Sequence, residues 1–470
     1  MDLYLKIATQ IKSFFHTTEI VPLAIEGKIL RIEVQIPHLE PLNWLARQTA
    51  ASKTYWSDRH GRFTMAGIGT VDVVAGDLPI SYPAVFDRLR QKLSALFPRV
   101  RYYGGIGFSQ HHRIDPSWKS FGNYRFVVPR FEIWTAGNET FFACNFFGTL
   151  DAAQWERELE QILAQLRCVD LTQIPVTVET PVQIARVDIP NRRQWQQNIN
   201  LALAKFTDRQ LEKIVLARQS TLLFASDLQP QILLLLLQPH NYPSYHFCFQ
   251  TDPQTAFIGT SPERLYYRQD RLLATEAIAG TRQRGTSSEL DRQLSDELSN
   301  SPKDIHEHQL VVNNLRAILA QICDAVTIEP SASILKLNKV QHLYTQCQGI
   351  LTAELTDAQI LPLLHPTPAV GGSPRPQALK LIQELEPFER GWYAAPVGWV
   401  GYDDTEFAVA IRSGLVTGDR LLLFAGAGIV TGSQSAQEWA EVENKIRHFT
   451  ELFTPPQPPT ITANRSHIEQ

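Results

Sequence analysis

Residues 211–218 read Leu-Glu-Lys-Ile-Val-Leu-Ala-Arg, LEKIVLAR, and the aliphatic, β-branched centre of this run predicts a strand. Side chains alternate faces along a strand, so Lys213 shares a face with Val215 and Ala217, while Ile214 and Leu216 take the other. Both faces are apolar, which predicts a buried strand. A lysine at its start has two readings. It snorkels its ammonium to water from the end of the strand, or it is held where desolvation lowers its pKa and makes it a usable base. The stretch alone leaves both open.

Working outward, further strands are predicted at YHFCFQ, TAFIGT, RLLATEAIAG, APVGWVGY, EFAVAIRSGLV and RLLLFAGAGIV, and earlier at VRYYGGIGF and NYRFVVPRFEIW. Helical spacing marks DAAQWERELEQILAQLR, the segment with Trp195, Ile199, Leu203 and Phe206, a long region from about Glu289 to Cys323, and a last helix from about Ser435 to Phe453. Strands come in consecutive runs with helices inserted between groups, which predicts an α+β fold. The Pro-rich stretch QIPVTVETPVQIARVDIPN places a soft boundary near Arg186, and TPPQPPTITANRSHIEQ reads as a mobile tail.

Composition narrows the function. Of 470 residues 44% are hydrophobic and 20% charged, the mixture of a soluble globular protein. A net charge of −4 without a basic block gives no attraction to nucleic acid or anionic lipid, so a small-molecule ligand is expected. Five widely spaced cysteines, with no CxxC pair, read as reduced thiols of a cytoplasmic protein. The N-terminus lacks the features of a secretory signal, and the longest aliphatic run, Ile232 to Leu237, is too short to span a bilayer, so no membrane insertion is expected.

Two helices carry acids on the face that should be apolar. In KDIHEHQLVVNNLRAILAQIC, Val311, Val312, Leu315, Ile318, Leu319 and Ile322 form one stripe, and a turn backward it reaches Asp304 and Glu307. In the last helix Val442, Ile446, Phe449 and Leu452 form the stripe, and Glu438, Glu441 and Lys445 fall in its phase. Buried carboxylates are costly unless paired or metal-bound. Two such helix ends could share Mg²⁺, which accepts one or two carboxylates and leaves room for water and an anionic substrate. Local alternatives are a capping box at Ser435-x-x-Glu438, an i,i+4 pair between Glu441 and Lys445, and a dipole-stabilised Asp304. Glu263 in GTSPERL and Arg412 at the end of EFAVAIRS are further candidates. AGAGIVTGS lacks both the P-loop Lys-Ser/Thr and GxGxxG spacing, but suits a backbone nest for an anion.

In order along the chain, LEKIVLAR, GTSPERL, AIAGTRQRG, KDIHEH, VQHL, HPTPAVGGSPR, ERGWYAAPVGW, FAVAIRS and AGAGIVTGSQSAQEWAEVENK resemble the chorismate-utilising enzyme family, and within it the isochorismate-forming branch of menaquinone or phylloquinone type. These motifs span about Leu211 to Lys445. The resemblance implies a large antiparallel two-sheet core wrapped by helices, with residues 1–185 a variable N-terminal α+β part, 186–453 the chorismate-binding domain and 454–470 the tail. It implies Mg²⁺-dependent addition of water at C2 of chorismate with loss of the C4 hydroxyl, feeding quinone or siderophore and salicylate synthesis. Lys213 matches the general base and Glu263 the general acid. Glu307 and Glu441 match the principal Mg²⁺ carboxylates, with Asp304 and Glu438 nearby. Tyr393, Arg412 and Lys445 match positions holding substrate carboxylates, with backbone at Gly280, Gly426 and Gly428, and Thr281, His342 and Thr367 match pocket positions. The chemistry needs an acid with a raised pKa and a base with a lowered one.

Ammonia-using relatives typically carry glutamine in place of Lys213, and the aminodeoxychorismate branch has PIKGT where this chain has AIAGT, so Ala279 leaves no nucleophilic lysine there. No glutaminase subunit is expected, and the chain is expected to be a monomer or weak homo-oligomer. Salicylate synthase, which goes on to eliminate pyruvate, shares the lysine, the acid and the metal site. A catalytically silent binding protein on the same fold is the alternative of another class. The segment Gly401-Tyr402-Asp403-Asp404 departs from related synthases, so no contacts are carried over there.

Overall fold

The computed structural model describes residues 3–17, 25–77, 79–109, 115–149, 151–207, 211–238, 243–337, 340–352 and 355–453; the Pro-rich tail lies outside them. LEKIVLAR opens a strand of 12 residues, Lys213–Phe224, antiparallel to Arg420–Ile429 along its length. Alternation sorts its side chains as expected. Ile214 and Leu216 join an apolar layer on the helical side, and Ala217 joins the layer between the sheets.

Among the described residues the strands form two antiparallel sheets. The first, twelve-stranded, runs Ile29–Ile36, Glu139–Phe147, Phe131–Ala136, Phe63–Ile68, Lys53–Ser57, Tyr245–Asp252, Thr255–Ser261, Ser413–Thr417, Arg420–Ile429, Lys213–Phe224 and Gly372–Ser373, with Gln183–Ile189 also on the Lys213 strand. The second, ten-stranded, runs Cys323–Ile328, Val340–Leu351, Leu272–Gln283, Arg264–Gln269, Asp404–Val409, Pro396–Val400, Tyr102–Ile106, Tyr124–Val128 and Asp72–Gly76, with Ser333–Lys336 also on the Val340 strand. The fold is α+β. Residue 186 falls inside the strand Gln183–Ile189, and both sheets draw strands from either side of it.

Aromatic rings fill the space between the sheets: Trp118, Phe121, Phe257, Trp392 and Phe424 meet edge-on or tilted at centroid distances of 5.0 to 6.3 Å. Such geometry adds to the burial of large apolar surfaces. The opposite face of the first sheet is covered by helices, among them Leu3–Thr17, Arg192–Thr207 and Ser435–Thr450. The long helical region expected from about Glu289 to Cys323 is made of two helices, Ser288–Asn300 and Pro302–Ile322. Ser301 caps the second, its hydroxyl accepting from the Asp304 N–H, and Pro302 occupies the first helical turn, where its missing N–H costs nothing. The stripe from Val311 to Ile322 is buried as expected. Among the described residues no helix is long and apolar enough to cross a membrane.

Asp357, fully buried in the first turn of Asp357–Leu364, ties that helix to the second sheet. It accepts from Arg268 at 2.8 and 2.9 Å, from Tyr266 and Thr405 hydroxyls at 3.1 Å and from Arg90 at 3.2 Å. Removing one partner of a buried ion pair costs about 3–5 kcal/mol. Asp357→Ala is therefore expected to lower unfolding stability by about that amount in urea titrations, with Asp357→Asn less damaging because it keeps part of the hydrogen bonding.

Candidate active site

A cavity of about 350 Å³ lies between the two sheets and the N-terminal turns of two helices. Val215, Gly426 and Gly428 come from the first sheet, Ile278 to Thr281 and His342 from the second. The helix Pro302–Ile322 contributes Lys303, Asp304 and Glu307, and Ser435–Thr450 contributes Glu438, Glu441 and Lys445. Glu263, Arg282, Tyr393 and Arg412 also line it. The structure thus brings together residues separated by nearly half the chain.

Two expected members stand off the cavity surface. Lys213 is fully buried, with Nζ donating to Glu307 Oε1 at 2.8 Å. It therefore does not snorkel to water. A Cβ on Gly428 would lie 2.7 Å from Glu307 Oε1 and 3.2 Å from Lys213 Cε, so the glycine leaves the space this pair occupies. Thr367 does not line the cavity: its hydroxyl accepts from the Ala369 N–H at 3.2 Å, and it shapes the loop whose Ala369 and Val370 face inward.

Each inward-turned carboxylate has its own cation. Arg282 meets Asp304 at 2.7 Å, Lys213 meets Glu307 at 2.8 Å, Lys303 meets Glu438 at 3.3 Å and Lys445 meets Glu441 at 2.7 Å. Sequence reasoning missed Arg282 and Lys303. Lys303 was readable, since it adjoins Asp304 in KDIHEH; Arg282 reaches its partner only through the fold. The capping box suggested at Ser435 is not made. Gln434 is the N-cap and makes no side-chain capping bond, so Ser435 is already helical and the Glu438 carboxylate turns to Lys303.

Burial pushes the Glu263 carboxyl up to about 8, with the charge of Glu276 adding to it. Glu438 is also raised, by burial and by the facing Glu441, whereas at Glu441 the same burial is outweighed by Lys445 and the net direction is downward. His342 is held near 3 by burial and by Arg412, so its ring is neutral. Its Nδ1 lies 3.0 Å from the Gly280 carbonyl, which can only accept, so Nδ1 carries the proton. Nε2 is then an acceptor, buried and without a hydrogen-bond partner among the described residues. Arg412 is brought down to about 10 by burial. Its backbone sits in the left-handed region at φ 53°, a conformation that costs a non-glycine residue about 1–2 kcal/mol. It makes no ion pair among the described residues, which leaves its charge for an anion.

Among the described residues no three His, Cys, Asp or Glu side chains form a ready-made metal cage. The donors nevertheless fit a hard divalent cation in an open site. Glu438 and Glu441 repel one another, Glu307 faces the same cavity, and Mg²⁺ takes one or two carboxylates while retaining water and substrate oxygens.

The model for chorismate binding enzymes matches residues 21–454, and the chain belongs to that family. It is 36% identical over 411 residues to the chloroplastic isochorismate synthase of Catharanthus roseus, a match covering 84% of this chain and 69% of that protein. It is 32% identical over 435 residues to the isochorismate synthase MenF of Bacillus subtilis (strain 168), covering 88% and 91%. Its structure superposes on MenF, the menaquinone-specific isochorismate synthase of Escherichia coli, with a TM-score of 0.83 at 28% identity, covering 96% of this chain and all of that one.

Gly428→Ala is expected to push Glu307 and Lys213 apart while leaving the fold intact. Turnover should fall by about tenfold or more, equivalent to about 1.4 kcal/mol, with an unchanged circular dichroism spectrum; wild-type turnover would show that the glycine is not required.

Proposed function

We propose that the chain is an isochorismate synthase, converting chorismate and isochorismate into one another. The observation that carries this reading is one cavity holding a carboxyl that stays protonated near neutrality, Glu263, beside a fully buried lysine, Lys213. The family and the relatives' activities support it.

Chorismate carries two carboxylates, so the site has to be cationic. Arg412 and Lys445 hold them, with the Tyr393 hydroxyl and backbone at Gly280, Gly426 and Gly428 fixing orientation. The neutral His342 offers Nε2 to a substrate hydroxyl, and Thr281, bonded to the same ring at 3.1 Å, keeps it oriented. Lys213 removes a proton from water as its oxygen bonds to C2. Both ring double bonds shift, C1=C2 to C1=C6 and C5=C6 to C4=C5, the C4–O bond breaks, and Glu263 gives its proton to the departing oxygen. One water is consumed and one released, so no net oxidation or hydrolysis occurs. In this structure Lys213 Nζ is committed to Glu307, so the base role requires that contact to loosen when substrate fills the cavity, freeing Nζ for water. Glu307 and Glu441, with Asp304 and Glu438 beside them, would hold Mg²⁺, which supplies electrostatic stabilisation of the ring carboxylate.

Because water is the nucleophile, no glutaminase partner is required. The product feeds a quinone pathway of menaquinone or phylloquinone type, and free thiols at Cys144, Cys168, Cys248, Cys323 and Cys347 suit a reducing cytoplasm.

With chorismate and Mg²⁺ the purified protein is expected to yield isochorismate without salicylate or pyruvate, to lose activity in EDTA and to regain it with Mg²⁺. Salicylate as the main product, read by chromatography, would make it a salicylate synthase, and no turnover a silent binding protein. Lys213→Ala is expected to lower kcat by about 10²-fold or more while chorismate binding, measured calorimetrically, is largely retained; unchanged turnover would remove Lys213 from the mechanism.

A further inference from the structure

Behind Glu263, away from the substrate side, lies a charged network that the reaction as derived does not use. Arg59 is on the turn joining Lys53–Ser57 to Phe63–Ile68 in the first sheet. It reaches the second sheet to clamp Glu276 with both terminal nitrogens, Nη1 lying 3.0 Å from Oε2, across 217 residues of chain. Both side chains are buried. Glu276 Oε1 also accepts the backbone N–H of Arg264 at 2.7 Å, the peptide group that follows Glu263. The Arg264 side chain is held in turn by the Tyr245 hydroxyl at 2.8 Å and by Glu406 at 3.1 Å.

We propose that Glu276, clamped by Arg59 from the N-terminal hairpin, is a positioning residue for Glu263. It acts through the peptide N–H next to that residue and through the negative charge it places behind the carboxyl. The inference rests on Glu263 being the acid of the proposed reaction. It assigns the N-terminal part a place in catalysis: without touching substrate, its hairpin anchors the charge that favours the proton-carrying form of the acid. The Glu263 carboxyl is faced by Glu276 from Leu272–Gln283, by Arg59 from the hairpin, by Lys213 from Lys213–Phe224 and by Lys445 from the last helix. Only Glu276 among these four is negative, so it opposes three cations and its removal should be felt most directly at Glu263. Arg59 plays two parts, fixing Glu276 in place and drawing Glu263 toward ionisation, so the two substitutions have opposite expected signs.

The test is the pH dependence of kcat/KM for isochorismate formation from chorismate with Mg²⁺. In the wild type, activity falls as pH rises through about 8, as the Glu263 proton is lost. Glu276→Gln removes a like charge and is expected to move this alkaline limb to lower pH by about one unit. Arg59→Met is expected to move it to higher pH, and Arg59→Lys, which keeps the charge, to leave it in place. The Arg59 pair carries the test alone should Glu276→Gln fail to fold, as judged by thermal unfolding. Limbs that stay at the wild-type position in Glu276→Gln and Arg59→Met, or that move in the same direction, overturn the proposal. Glu263→Gln separates the two levels. If it retains activity with an unchanged limb, the acid assignment itself fails. If it is inactive while the other limbs stay put, only the positioning role fails.

Discussion

The contact between Lys213 and Glu307 is the constraint around which the site is organised. It is 2.8 Å long, and the lysine side chain has no solvent exposure. The lysine begins a strand of the first sheet, and the glutamate sits on a helix packed against the second. A buried charge without a partner is costly, so this pair holds strand and helix at one separation. Gly428 is the corollary, because any side chain there would invade the space the pair fills.

The same economy governs the rest of the cavity. A site for a dianion has to concentrate cations, and a site for Mg²⁺ has to concentrate carboxylates, and either alone would be unstable in the interior. Here they interleave: the four carboxylates of the two helix ends each meet a lysine or arginine, while Arg412 keeps its charge without an ion pair among the described residues. A dianion or a hard cation entering the cavity would therefore exchange partners already in place instead of creating charge in an empty pocket. Glu263 is treated differently. No cation meets it in an ion pair among the described residues, and burial with Glu276 nearby holds it protonated. One cavity thus shifts carboxyls in opposite directions, Glu263 upward and Glu441 downward, and the difference comes from neighbours, not from residue type.

Much of this was legible in residues. The apolar stripes of two helices extended backward onto acids, and those acids do line one cavity. Strand alternation correctly separated Ile214 and Leu216 from Ala217. Where local reading failed, competing local signals were the cause. The long helical region is divided at Ser301 and Pro302, a cap and first-turn pair whose two flanks are both good helix. The capping box at Ser435 was sound by spacing, but the helix starts earlier and Lys303 offers Glu438 a charged partner. Thr367 stands in the right loop, yet its hydroxyl is spent on that loop's own backbone.

By itself the sequence determined the α+β class, the core faces of the long helices, and some of the residue kinds that would meet: a lysine in an apolar strand and acids turned inward on two helices. These follow from periodicity and side-chain chemistry, which are local properties of the chain. Tertiary structure alone decided which charge pairs with which. Arg59 meets Glu276 and Arg282 meets Asp304 because sheet registers and helix packing bring distant backbones within hydrogen-bonding range. It decided, too, that Lys213 is closed off from water and that Glu263 holds its proton. Desolvation and Coulomb interaction depend on distance in space, which no spacing along the chain encodes.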